Sequence, residues 1–202
     1  MRKNIKKAIV VSSIVMIMII AIISTFFIVK YCINKANINK VNEIYSVDNI
    51  QERLNTEDNT IKDDFLLQID GESVLGVVKI EKIGFEGLVF EGTTLDTLSK
   101  GVGHFESSKI IDGNVCLAAH NYSNMWKNLY TVSNGDIIEY ACALGYKKYK
   151  VSDIKQIEDT DISVLENTQD NMITLITCVK NVPSKRLCVQ AKEISNLNKD
   201  GF

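Results

Sequence analysis

The sequence predicts a mainly β domain, a barrel or a sandwich, held behind a membrane-spanning helix. Three observations carry this. An apolar run from Ala8 to Val29 holds no charge, proline or glycine; short apolar runs bounded by turn residues recur from about Val74 to Ala191; and the helical signals among them are brief. A chain of 202 residues has room for one sizeable domain and an appendage.

The appendage comes first. A helix needs about 20 apolar residues to cross a bilayer core, and Ala8–Val29 reaches that length. The run is longer than the apolar core of a cleaved signal peptide, and no A-x-A-like site comes after it; Lys30-Tyr31-Cys32 also lacks the small residues that precede a lipidated cysteine. The expectation is an uncleaved anchor at 8–29. Arg2, Lys3, Lys6 and Lys7 precede it, so residues 1–7 form a cytoplasmic tail and the rest of the chain lies outside the cell membrane, a single-pass arrangement. Residues 30–65 are polar, with weak helical spacing at Ile44, Val47, Ile50 and Leu54, and read as a membrane-proximal linker. The globular domain is expected at 66–202.

Charge is divided along the chain. The first 42 residues hold seven Lys/Arg and no acid, whereas the remaining 160 carry 16 basic and 25 acidic side chains, a net of nine negative charges. Nucleic-acid binding needs basic patches to neutralise phosphate, and a domain this acidic excludes that class. The five cysteines, Cys32, Cys116, Cys142, Cys178 and Cys188, form no C-x-x-C pair and no zinc pattern, and no metal or other cofactor is expected. Their odd number leaves at least one thiol free unless chains cross-link.

Strands are expected at 74–80, 87–90, 114–119, 137–140, 147–151, 172–177 and 186–191, with short helices at 94–98 and 125–130. Gly101-Val102-Gly103-His104-Phe105 reads as a glycine-rich turn, and the one proline, Pro183, as part of a loop from Val179 to Lys185.

Three residues could do chemistry together. Cys178 ends the apolar run Thr174-Leu175-Ile176-Thr177 and opens a loop; a nucleophilic cysteine needs a nearby base or cation, because the thiolate is the reactive form. His120 sits at a strand end, after Cys116-Leu117-Ala118-Ala119 and before Asn121-Tyr122-Ser123-Asn124. An antiparallel hairpin brings Arg186 across from Cys178, where its fixed fork of donors can serve a thiolate, a carbonyl or an oxyanion. His104 is expected to bond locally. Cys188 shares strand parity with Arg186 and is either a packing residue or, when oxidised, a disulfide partner of Cys178.

These residues also carry a resemblance. Thr174-Leu175-Ile176-Thr177-Cys178 resembles the T-L-x-T-C signature of sortases, the membrane-anchored cysteine transpeptidases of Gram-positive bacteria. Gly113-Asn114-Val115-Cys116-Leu117-Ala118-Ala119-His120 is similar to the family's G-N-x-x-x-A-G-H strand, and Gly101 to Phe105 to its G-x-G-H-[FY] segment. Asn134-Gly135-Asp136-Ile137 and Thr160 to Leu165 are similar to the family's turn and loop downstream of that histidine. The chain departs from the pattern at Ala119, which replaces a glycine, at Glu81 and Gly87, where relatives often have prolines, and before Gly113, where Pro-Gly is missing. A class D-like member is the subfamily expectation.

The resemblance implies a sortase-type closed β-barrel of about eight strands, with a groove on its outer face. It implies catalytic roles for His120, Cys178 and Arg186, and substrate-binding positions at Ala118, Ile162, Val164, Leu165, Thr174, Ile176 and Thr177. It further implies cleavage of an LPxTG-like sorting signal in surface proteins, a thioester acyl-enzyme, and transfer to an amine of a cell-wall precursor. A membrane-tethered β-domain that only binds an extracellular partner is the alternative, and it predicts a buried, inert Cys178. A papain-like or endopeptidase-type hydrolase ranks third, because those place cysteine before histidine and on a helix N-terminus.

Overall fold

The computed structural model describes residues 2–45, 67–69 and 71–194. The linker from 46 to 65, with Val47, Ile50 and Leu54, and the expected domain start at position 66 lie outside the described residues.

Helix α1 spans Arg2–Ile44, so the helix continues from the apolar run through residues expected to be linker. Its portion Val11–Ile44 is long and apolar enough to cross a membrane, and none of its most apolar window is buried. Large apolar side chains from Val11 to Ile33 point outward all round, as a bilayer-facing surface requires.

The rest of the described chain is a closed mixed β-barrel. Its strands are β1 (Leu67–Ile69), β2 (Glu72–Ile80), β3 (Phe85–Glu91), β4 (Val102–His104), β5 (Asn114–Ala118), β6 (Ile137–Cys142), β7 (Gly145–Glu158), β8 (Met172–Val179) and β9 (Val182–Glu193). They run in the order β1-β2-β3-β4-β5-β8-β9-β7-β6, and pairing of β2 with β6 closes eight of them, with β1 appended to β2. Two neighbours are parallel, β3 with β4 and β5 with β8; the other pairings are antiparallel. An eight-stranded barrel is just wide enough for side chains to fill. Val78, Val89, Val115, Leu117, Ile138, Ile173, Leu175 and Val189, all fully buried, do so here with Trp126 and Tyr149.

Three local expectations need correcting. Val102–His104 is strand β4 rather than a turn, because it pairs with β3 on one side and β5 on the other. The segment 125–130 is a series of turns ending in a short 3-10 helix, Leu129–Thr131; the helix at 94–98 is present as α2 (Leu95–Lys100), capped by the Thr94 side chain. Tertiary burial of Trp126 and Leu129 holds the first segment without a helix. The β8–β9 connection is also much shorter than a seven-residue loop. Only Lys180 and Asn181 turn the chain, and Asn181 takes the left-handed conformation that asparagine tolerates (φ 62°).

The residues expected in that loop are instead a bulge within β9. Cys178 pairs with Arg186, yet Val179 pairs with Val182, so Pro183, Ser184 and Lys185 are extra residues on one strand. A bulge is where a strand tolerates proline, since no ladder bond is asked of its missing N–H.

Candidate active site

The parallel pairing of β5 with β8 builds the site. Its register sets Ala118 beside Ile176. The hydrogen bonds continue past the strand end: Ala119 N–H donates to the Ile176 carbonyl (3.2 Å), and the Thr177 hydroxyl to the Ala119 carbonyl (2.7 Å). Continued by two residues, that register puts His120 level with Cys178. The Asn121 side chain closes the junction, its Nδ2 donating to the Cys178 carbonyl at 2.8 Å.

Strand alternation aims these groups outward. Ile173, Leu175 and, on β5, Val115, Leu117 and Ala119 fill the barrel. Their alternates Thr174, Ile176 and Cys178, with Asn114, Cys116 and Ala118, take the outer face. Cys178 is exposed and His120 half-exposed. The His120 ring stacks on Tyr122, with centroids 4.7 Å apart and planes 21° from parallel. The chain then turns back, Trp126 N–H donating to the His120 carbonyl (3.1 Å) and its indole buried against Phe85. That burial fixes the histidine loop to the core.

Arg186 lies opposite Cys178 on β9, and the bulge holds its guanidinium. Nη1 donates to the carbonyls of Pro183 (2.6 Å) and Lys185 (3.0 Å), while Nη2 lies 3.6 Å from a carboxylate oxygen of Asp159. Both Nη1 hydrogens are thus spent on backbone that the bulge turns toward them. Arginine carries five donors, so the fork keeps capacity for a ligand.

Beside the cysteine lies a small apolar cluster outside the barrel: Ile157, Val164, Ile176 and Cys188, with Phe105 and Leu165 against it. Ala118 is 9 % exposed, Leu165 half-buried, and Ile162 stands out at 72 %. Thr174 and Thr177 are buried instead. The Thr174 hydroxyl donates to Asn114 Oδ1 (2.8 Å), and Thr177 shares the inward parity of Leu175. Neither hydroxyl is presented to a groove.

Cys188 is fully buried in that cluster, and burial pushes its thiol up to about 11. It pairs with Ile176, which leaves it diagonal to Cys178, at a separation of about 7–8 Å that a disulfide does not span. Burial likewise pushes Cys116 up to about 12 and Cys142 up to about 11. His104 is enclosed (1 % exposed). Its Nδ1 meets Glu91 Oε1 (2.9 Å), and its Nε2 meets the Lys109 carbonyl (3.1 Å) and Ser108 Oγ (3.0 Å). No cluster of three or more His, Cys, Asp or Glu that could hold a metal occurs among the described residues.

Sequence reasoning missed Asn121, Asp159, Tyr122 and Asn114. The signal for Asn121 was faint: an asparagine just past a strand end commonly bonds nearby backbone. Asp159 and Asn114 gave none, because their partners lie far along the chain.

The geometry makes a labelling experiment decisive. With iodoacetamide at about pH 8, the folded chain should take label at Cys178 within minutes, alongside the exposed Cys32. Cys116, Cys142 and Cys188, buried and protonated far above that pH, should react only after denaturation, as peptide mass spectrometry would read. Labelling of Cys178 no faster than of Cys188 would contradict the site.

The Sortase domain family model matches residues 78–194. Among curated proteins the chain is 31 % identical to sortase A of Listeria monocytogenes over 134 residues (64 % of this chain, 60 % of the relative). It is 30 % identical to sortase D of Bacillus subtilis over 129 residues (59 % and 64 %). It therefore spans about three fifths of the length of these relatives. Among solved structures, sortase C1 of GBS Pilus Island 1 superposes with a TM-score of 0.66 at 26 % identity, covering 84 % of this chain and 96 % of that one.

Proposed function

This chain belongs to the sortase family, and from that premise we propose that it is a membrane-anchored cysteine transpeptidase acting on sorting signals of surface proteins. The observation that carries the proposal is the junction of two parallel strand ends. His120 follows the end of one strand and the exposed Cys178 lies near the end of the other; Asn121, next to His120, donates to the Cys178 carbonyl, and Arg186 is the cross-strand partner of Cys178.

In the proposed reaction, Cys178 Sγ attacks the carbonyl carbon between Thr and Gly of an LPxTG-like peptide. The thiol proton passes to His120 as the C–S bond forms and gives a tetrahedral intermediate; its collapse breaks the C–N bond, and His120 delivers that proton to the departing glycine amine. The thioester is then attacked by an amine of a cell-wall precursor; His120 takes the proton from that nitrogen, and Sγ leaves as the new amide forms. Arg186, held by the bulge carbonyls, donates to the oxyanion of each tetrahedral intermediate. Ala118, Ile162, Val164, Leu165 and Ile176 make the apolar surface for the peptide, and holding acceptor and thioester together is what favours an amine over water. Thr177 supports that surface from the barrel side, and the buried Thr174 sits next to it on the outer face.

The soluble domain incubated with LPxTG-like peptides and an amine should give transfer product by mass spectrometry. Cys178→Ala should give none while keeping the fold. His120→Ala should lose roughly 10²–10⁴-fold in rate. Arg186→Lys should fall nearly as far as Arg186→Ala, on the order of 10²–10³-fold, because the planar fork rather than charge alone aims at the oxyanion. Recovery of most activity by lysine would restrict Arg186 to an electrostatic role. His104→Ala, remote in its own hydrogen-bond set, is the control; a loss as deep as that of His120 with the circular dichroism unchanged would mean the other histidine reacts.

The proposed location is the cell membrane, with α1 as anchor and the barrel outside. Arg2, Lys3, Lys6 and Lys7 before the apolar run favour a cytoplasmic N-terminus. Protease added to intact protoplasts should digest the barrel; a barrel protected until lysis would reverse the orientation.

A further inference from the structure

The outer face of β5 carries one side chain with an unusual set of partners. Asn114 is 1 % exposed and satisfies its whole carboxamide. Nδ2 donates one hydrogen to the Val164 carbonyl and the other to the Glu166 carbonyl, both at 2.9 Å. Oδ1 accepts from the Thr174 hydroxyl at 2.8 Å, and that hydroxyl oxygen accepts in turn from Gln190 Nε2 at 3.3 Å. The Asn114 backbone N–H donates to Asn167 Oδ1 at 3.2 Å. One residue of β5 is thus bonded, directly or through Thr174, to the segment 163–167 and to the strands beneath it.

That segment comprises the 3-10 turn Ser163–Leu165 with Glu166 and Asn167. It carries Val164 and Leu165 of the apolar cluster and is preceded by the exposed Ile162. The turn satisfies its own N–H groups locally: Leu165 donates to Ile162 (3.0 Å), Glu166 to Ser163 (3.2 Å), and Ser163 to Asp161 Oδ1 (3.0 Å). Its inward carbonyls are left to Asn114, and an uncharged carboxamide is the group that offers two donors and an acceptor in one buried place. Gly113 admits the arrangement. It has φ +92°, and a Cβ there would collide with Asn167 Oδ1. The protonated Cys116 thiol, two residues along the same face, adds weak contacts of 3.9 Å to the Val164 and Leu165 carbonyls.

We infer that Asn114 is a positioning residue that fixes the apolar wall beside Cys178, and so governs recognition of the peptide rather than the chemistry at the thiol. This rests on the transpeptidase proposal for what the wall binds, but not for the clamp itself. Asn114→Asp keeps the acceptor for Thr174 and replaces both donors with a carboxylate oxygen facing two carbonyls. It should loosen the wall without touching His120, Cys178 or Arg186.

The test has two arms on the same full-length variant, purified in detergent. Hydrogen exchange read by mass spectrometry should show the amides of 163–167 exchanging on the order of tenfold faster, with β5, β8 and β9 unchanged, because two hydrogen bonds are lost. In steady-state kinetics with an LPxTG-like peptide, KM should rise about tenfold, with kcat and the rate of Cys178 alkylation within about threefold of the parent. Unchanged exchange at 163–167, or a fall in kcat and alkylation at constant KM, would overturn the inference. Should Asn114→Asp not fold, Thr174→Val decides, since it keeps both Asn114 donors, removes the partner of Oδ1 and the longer Gln190 contact, and should raise exchange in the same segment by a smaller factor; no rise there would also overturn it. A parent chain that cleaves no peptide would defeat the transpeptidase proposal, while the exchange arm would still judge the clamp.

Discussion

The site depends on one backbone constraint, the parallel register of β5 on β8. Parallel neighbours end at the same level, so the last residues of both strands emerge side by side at one rim. His120 and Cys178, 58 positions apart in sequence, both sit at those strand ends without a long loop to order. The hydrogen bonds beyond the formal strand, from Ala119, Thr177 and Asn121, extend the constraint to the backbone that carries His120 and Cys178. An imidazole or thiol carried on a free loop would need its position fixed at an entropic cost of about 1–2 kcal/mol per residue; here the barrel's folding has already met that cost.

The same strand also builds the core. Along β8, Ile173 and Leu175 are fully buried inside the barrel, and each buried side chain of that kind contributes roughly 1.5–3 kcal/mol. Thr174, Ile176 and Cys178 take the opposite face. A one-residue slip would turn the thiol inward and a leucine outward, so the hydrophobic effect that stabilises the barrel also specifies which way the Cys178 side chain points. The bulge at Pro183 to Lys185 adds the third group, since it lets β9 pass Cys178 and still present two carbonyls to Arg186.

Legibility in the sequence tracked the range of the interactions. The central strands were readable because their apolar runs are bounded by Gly, Asp and Asn, and the N-terminal apolar helix because its run is long and uncharged. Strand β4 was not, since its three residues Val102-Gly103-His104 look like a turn until β3 and β5 pair with them. The β8–β9 turn was misplaced because Pro183 signals a loop as well as a bulge. Cys178 and Arg186 could be matched from hairpin geometry, and His120 from its strand end. The burial of Thr174 and Thr177, by contrast, depends on Asn114 and Ala119, each about 60 residues away in the chain, and no local pattern encodes such pairings.

The most direct measurement is intact-mass spectrometry of the soluble domain mixed with an LPxTG-like peptide and no amine, with digestion afterwards to locate the adduct. A sortase site at this junction predicts a gain equal to the peptide fragment ending at Thr, carried on Cys178 and released by hydroxylamine as a thioester would be. No adduct, or one on Cys116, Cys142 or Cys188, would contradict it.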